Sequence, residues 1–275
     1  YLEKYHIPAV DYSEGVKTAY PQGVQAKEFI LPKELLEQDC VISLSKMKTH
    51  ALERITGAVK NSYGFIYGFH KAKGHTQYPS ADSFARMLID LNKCVAPKLY
   101  VMDGIVAMEG NGPGSGDAVP MNVLLMSTDP VALDSVFSRL VYLKPEMVPT
   151  NYHGEKMGLG TWKEEEITLL TPDGEISMAE AVKKYGNPAF NVDRTEVRKN
   201  IWTRMAGTLN IFQKKPYIEA DKCVRCGICV QSCPVPGKAV DFRKGKGKPP
   251  VYDYRKCIRC FCCQEMCPKK AIKVK

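Results

Sequence analysis

The chain has 275 residues, 39 Lys+Arg against 30 Asp+Glu, 11 cysteines and 44% hydrophobic content. That apolar fraction excludes a disordered chain, and the length suits one large domain or two unequal ones. No run of about 18 apolar residues occurs, so no transmembrane segment is expected.

Charge and cysteine are both concentrated at one end. Residues 217–275 hold 14 Lys+Arg and 5 Asp+Glu, a net of +9, which leaves 25 of each sign for residues 1–216. Nine of the 11 cysteines lie in that same tail, and only Cys40 and Cys94 precede it. Two bodies of different chemistry are predicted. The chain opens on Tyr1 rather than Met, so its start reads as a cut, a processing site or a fragment boundary.

In the first body, apolar strands alternate with amphipathic helices. Residues 41–45 read as a buried strand, followed by Lys46, Lys48 and His50 and then by Lys60 and Asn61. A polar stretch over 68–75, bounded by glycine and holding His70 and His75, predicts a mobile lid. Residues 80–95 predict a helix with Phe84, Met87, Leu88 and Leu91 on one face, ended by Pro97. The next strand, 99–102, leads to Asp103 and a loop with Gly110, Gly112, Gly114 and Gly116. After a strand at 123–126, Asp129 and Pro130 read as the N-cap and first turn of a helix whose stripe is Leu133, Val136, Phe137 and Leu140. Asp134 is expected to face solvent or cap locally. His70, His75 and His153 lack metal-ligand spacing, and Cys40 and Cys94 read as packed thiols.

This alternation predicts an α/β domain over residues 1–190 with a partly parallel sheet. Ligands of such sheets gather beyond the carboxyl ends of the strands. The expected site therefore joins Lys46, Lys48, His50, Lys60, Asn61 and Asp103 to Gly112, Gly114 and Gly116. Lysines suit a carboxylate or phosphate, and glycines baring their amides suit an anion nest. His50, which titrates near neutral pH, is the candidate proton donor, with Lys60 and Asp103 as further candidate catalytic groups. The competing readings are a solvated basic turn and a plain surface loop. The glycine loop is neither a P-loop nor a dinucleotide fingerprint. Over 191–216, Val197, Ile201 and Met205 fall at helical spacing among basic residues and predict a linker helix.

The tail repeats one spacing. Cys223, Cys226, Cys229 and Cys233-Pro234 are matched by Cys257, Cys260, Cys263 and Cys267-Pro268. The tail, residues 217–275, thereby resembles the bacterial two-cluster ferredoxins, a small α+β ferredoxin-like domain. The resemblance implies two [4Fe–4S] clusters with crossed ligation. One would use Cys223, Cys226, Cys229 and Cys267, the other Cys257, Cys260, Cys263 and Cys233. Cys262 lies outside this frame and reads as a packed or exposed thiol. Structural zinc favours separated pairs of ligands, and nine cysteines suit neither zinc nor a disulfide framework. Strands are expected at Tyr217-Ile218, at Val251-Tyr252, over 239–241 and over 271–273, with a basic hairpin over 243–250.

A second resemblance rests on Lys-x-Lys-x-His at 46–50, on Thr-Gly-Ala-x-Lys-Asn-x-x-Gly at 56–64, and on Asp103-Gly104 with the Gly112-Pro113 loop. Over about 30–160 the chain is similar to domain-of-unknown-function family 362, whose members often carry a C-terminal ferredoxin domain. The family usually begins with a further strand–helix segment, which is expected to be missing here, and it implies little chemistry.

Each oxidised cluster with its thiolates adds about −2, so the tail's +9 becomes about +5. A basic ferredoxin surface suits an acidic redox carrier, a ferredoxin or flavodoxin. No nucleic-acid motif occurs. Nothing marks secretion, and a cytoplasmic location is expected. Three functions follow: electron transfer to or from a small anionic substrate in the α/β domain, a docking module for a partner protein, or clusters that only fold the tail.

Overall fold

The computed structural model describes residues 2–68, 70–196 and 215–274. The linker helix expected through Val197, Ile201 and Met205 lies outside the described residues.

An antiparallel hairpin of β1 (Gly15–Ala19) and β2 (Glu28–Pro32) opens the chain and leads into a single turn, α1 (Lys33–Leu36). The main sheet runs β4-β3-β5-β6, with β3 at Ile42–His50, β4 at Arg54–Thr56, β5 at Leu99–Glu109 and β6 at Asp117–Ser127. Only β3 and β5 are parallel, joined across the sheet by α2 (Ala58–Asn61), α3 (His70–Gln77) and α4 (Ala81–Val95). β4 and β6 pair antiparallel at the two edges. The domain is thus mixed α/β with a partly parallel sheet.

Both strand readings fall short at their carboxyl ends. β3 runs on through Lys46 and Lys48 to His50, and β5 runs on past Asp103 to Glu109. Pairing with β4 and β6 supplies hydrogen bonds that carry both strands past the polar and glycine residues at which they were expected to end.

Helices cover one face of this sheet. Met47, Tyr100, Met102 and Val123 point into a core shared with Leu133, Phe137 and Leu140 of α5 (Pro130–Leu140). α5 starts as expected, with Asp129 accepting from the amides of Val131 and Ala132. The opposite face carries Ile42, Leu44, Leu124 and Met126, of which Leu44 is 72% exposed. α4 begins at a Ser80 capping box and buries Phe84, Met87, Leu88 and Leu91 against the hairpin's Phe29 and Leu31. Buried Asp90 on α4 accepts from the amides of Val24, Gln25 and Ala26 and so pins the hairpin loop.

Two local expectations are corrected. Asp134 is fully buried and accepts from the amides of Ala58 and Val59, so it caps α2, 75 residues away in sequence. The stretch expected as a lid is α3. Its His75 is buried, stacked on Phe84 at 4.5 Å and edge-on to Tyr63. An aromatic partner outside the segment converts a polar run into packed helix.

α6 (Pro149–Lys156), the hairpin β7 (Leu169–Thr171) with β8 (Gly174–Ile176), and α7 (Met178–Tyr185) complete the body. In the tail, β9 (Pro216–Ile218) pairs with β12 (Ile272–Val274), and β10 (Val240–Asp241) pairs with β11 (Val251–Tyr252). Each half is a strand, a cysteine loop, one helical turn and a returning strand. The tail's core is Cys229, Cys233, Ala239, Val240, Cys263 and Ile272, so the cysteines stand where a larger domain would place aliphatic residues.

Candidate functional site

The two cysteine runs fold into two separate cavities. One is lined by Cys223, Cys226, Cys229 and Cys267, with Val224, Ile218 and Ile272 as apolar wall. The other is lined by Cys257, Cys260, Cys263 and Cys233, with Val240, Tyr252 and Phe261. Each run lends its fourth cysteine to the other cavity. Cys262 is buried and lines neither.

The donor chemistry fits iron–sulfur cubes. The ligating groups in each cavity are soft thiols, and polar hydrogens point at them. The Tyr252 hydroxyl donates to Cys263 Sγ at 3.1 Å, and the Ala239 amide donates to Cys233 Sγ at 3.3 Å. Burial and the neighbouring Cys223, Cys226 and Cys267 push the Cys229 thiol up to about 11. Burial likewise pushes up Cys263, next to Cys260 and Cys257. Four converging thiols become comfortable as thiolates only where metal charge stands among them.

The second cavity abuts the α/β body. Gln264 donates to the carbonyls of Asn111 and Gly112, both at 2.9 Å, and Asn111 donates to the Ile272 carbonyl. Lys270 donates to the Gly116 carbonyl at 3.1 Å. The glycine loop is therefore a seam between the bodies, which corrects the anion nest expected of Gly112, Gly114 and Gly116. A side chain at Gly112 would lie 2.2 Å from the Thr49 carbonyl oxygen, and one at Gly114 would lie 2.9 Å from that of Glu265. One at Gly116 would lie 2.1 Å from that of Glu109. These glycines permit close backbone approach, and the carbonyls of Gly112 and Gly116 face the tail.

His50 belongs to the same seam. Its Nδ1 accepts from the amides of Leu52 and Glu53, so the neutral ring carries its proton on Nε2, 3.0 Å from Glu265 Oε1. Both ring nitrogens are thus engaged, and His50 is a positioning group rather than the proton donor expected. Burial, with Lys60 beside it, lowers its pKa to about 4 despite Glu265.

Lys46 and Asp103 also leave the expected site. They pair with each other at 2.6 Å, both substantially exposed, and Asp103 also accepts from the Ile105 amide. Asn61 donates to the Leu44 carbonyl. Their separation follows from the longer strands, which hold Lys46 and Asp103 inside the sheet rather than beyond its ends.

Lys48 and Lys60 do come together. Lys60 is buried on α2, and its charge acts on Lys48, Lys71, His50, Glu53, His75 and Glu265. Burial, then Lys60, lowers the pKa of both Lys48 and Lys71. Glu53 is fully buried, its two carboxylate oxygens have no hydrogen-bond partner among the described residues, and burial holds its pKa well above the carboxylate range despite Lys60. Glu265 is only partly buried, and Lys60 with the His50 hydrogen bond holds it well below that range. His75 Nδ1 has no partner among the described residues, and burial lowers its pKa to about 4. Glu53, Lys71, His75 and Glu265 escape sequence reasoning. They lie in a turn, an unpromising polar run and a cysteine loop, and only tertiary contact unites them.

The two buried histidines set an acid limit. Their folded values near 4 lie below the free value of about 6.5, so the folded chain binds fewer protons between those limits. Their contribution is complete above pH ~6.5 and is lost as pH falls towards ~4, on the order of 3 kcal/mol for each ring. Denaturant midpoints should fall over this window, and His75→Phe, which keeps an aromatic on Phe84, should remove about half of the slope. An unchanged slope would show that His75 is protonated in the folded chain.

Eight thiols around two cavities in a small two-strand-pair domain define an iron–sulfur protein of the ferredoxin type. The chain belongs to the family described as domain of unknown function (DUF362), which matches residues 1–139, and residues 215–268 match a 4Fe-4S dicluster domain. A thylakoid-associated protein of Synechocystis sp. is 41% identical over 130 residues, covering 47% of this chain and 40% of that protein. The chain therefore matches less than half the length of that relative. No helix among the described residues is long and apolar enough to cross a membrane.

Proposed function

We propose that the chain holds two [4Fe–4S] clusters and passes electrons between them and a small anionic substrate bound in the α/β body at Lys48, Lys60 and Lys71. Bound clusters supply one-electron redox capacity, and everything else is done by the chain's own residues. The observation that carries this reading is the convergence of three lysines, two of them lowered in pKa by burial and then by Lys60, with Glu265 as the ionised carboxylate among them. Three positive charges against one leave an excess of two, which a dianion would neutralise. Glu53 and His75 Nδ1, which have no partner among the described residues, provide further polar contacts. Glu265 ties this group to the loop of Cys260 and Cys263, so a bound substrate lies against the second cluster. A reducing cytoplasm, where thiolates stay available to iron, suits this chemistry.

Inorganic phosphate and succinate are the probes. Either should raise the thermal midpoint and perturb the spectrum of the second cluster while leaving the first unchanged. If neither does so at millimolar levels, the anion reading falls.

The exposed apolar sheet face favours a second reading. Ile42, Leu44, Leu124 and Met126 form a patch suited to a partner protein, with the α/β body as a docking module that performs no chemistry itself. Such a chain would ignore both probes.

A further inference from the structure

The two cysteine runs are copies offset by 34 residues, so each position in one loop has a counterpart in the other. The backbone repeats closely, with Arg225 at φ 60° and Arg259 at φ 59°. Exposure does not repeat. Arg225 and Cys226 are exposed, whereas Arg259 and Cys260 are 6% and 8% exposed. Half-buried Val230 corresponds to Gln264, which is 0% exposed. The α/β body covers the second loop through Gln264 on Asn111 and Gly112, and through Glu265 on His50. Val224, in the first loop, is 52% exposed.

Hydrogen bonding is uneven as well. Tyr252 donates to Cys263 Sγ, and its counterpart in the first half is Ile218, which has no donor. A hydrogen bond to a ligating sulfur stabilises the reduced, more negative cluster and raises its potential.

We propose that the tail is wired in one direction. The ring of Cys223, Cys226, Cys229 and Cys267 is the outer port, where an acidic one-electron carrier protein docks. The ring of Cys257, Cys260, Cys263 and Cys233 is the inner port, at higher potential, facing the Lys60 group. The outer face has an apolar centre at Val224 and a rim of exposed Arg225 and Lys269, with Lys222 paired to Glu219 at 2.7 Å, and the two cations unpaired among the described residues suit an acidic carrier. Transfer moves one electron and no atom: the carrier is oxidised by one electron and the dicluster domain is reduced by one. This proposal rests on the two cavities being cluster sites and is independent of the anion, so the phosphate and succinate probes fail or succeed separately.

The test uses the anaerobic full chain with reduced flavodoxin as the acidic carrier. Arg225→Glu with Lys269→Glu should slow second-order reduction on the order of tenfold at low salt, with the difference vanishing at high salt. Reduction by the small cation methyl viologen should not slow. Lys46→Glu, on the distant sheet face, should have no effect on either reaction. In a potentiometric titration followed by electron paramagnetic resonance, Tyr252→Phe should lower the higher of the two potentials and leave the other in place. If the double variant loses iron, hydrogen–deuterium exchange of the unaltered chain with flavodoxin replaces it, and protection is expected at residues 219–227. Reduction indifferent to the charge reversals in an iron-replete variant, protection centred on Ile42 and Leu44, or a Tyr252→Phe shift in the lower potential would overturn the proposal.

Discussion

Cys233→Ala should leave about four of about eight iron atoms, and the missing cube should be the one between Cys257, Cys260 and Cys263. Cys233 follows Cys229 closely in sequence, so a reading by proximity would assign its loss to the first loop. The structure places Cys233 in the second cavity with Tyr252 and Phe261, and its sulfur receives the Ala239 amide there. The converse change, Cys267→Ala, should empty the cavity of Cys223, Cys226 and Cys229. Each cube takes part of the tail's small core with it, so both variants should also lose stability, because metal binding and folding are one equilibrium in a domain of this size. Cys262→Ala should retain all the iron, since Cys262 lines neither cavity. Iron and acid-labile sulfide analysis, together with spectra of the surviving cluster, reads all three variants. Loss of the first-loop cluster from Cys233→Ala would mean that ligation is not crossed.

The tail was legible because its information is local. Three cysteines at fixed spacing, a fourth before proline and short flanking strands specify a half-domain without reference to anything distant, and β9 to β12 lie close to the expected positions. α4 and α5 were legible for the same reason, since caps and apolar stripes sit within the segments themselves. The polar site was only partly legible. Lys48 and Lys60 were recognisable as cations near strand β3, but Lys46 looked equivalent to Lys48 until the parallel register paired it with Asp103 and a register shift set Lys48 opposite Met108. Glycines announced close approach, and sequence could not say whether an anion or another backbone would do the approaching. Asp134 and Glu53 act through burial and partners far along the chain, which no window of neighbouring residues contains.

Lys60→Met should weaken binding of phosphate or succinate by about a hundredfold, the scale of truncating a buried charged partner, without costing stability. The two effects separate because they arise in different states. In the free chain, Lys60 sits buried among Lys48 and Lys71 and is opposed chiefly by Glu265, which retains its His50 hydrogen bond when Lys60 is gone. Removing the cation relieves repulsion on Lys48 and Lys71 and takes a counter-charge from Glu265, and a methionine of similar length fills the space, so the opposing effects should leave folding little changed. In the bound chain the same cation is the group that reaches the anion from the protein interior. The pKa values of Lys48 and Lys71 should rise in the variant, since the neighbour that lowers them is absent. Both cluster spectra should persist without the probe, because Lys60 lines neither cavity. Calorimetric titration and thermal melting separate the outcomes. A variant that melts lower and binds anions as before would make Lys60 a structural counter-ion of Glu265 and remove the α/β body's claim to a substrate.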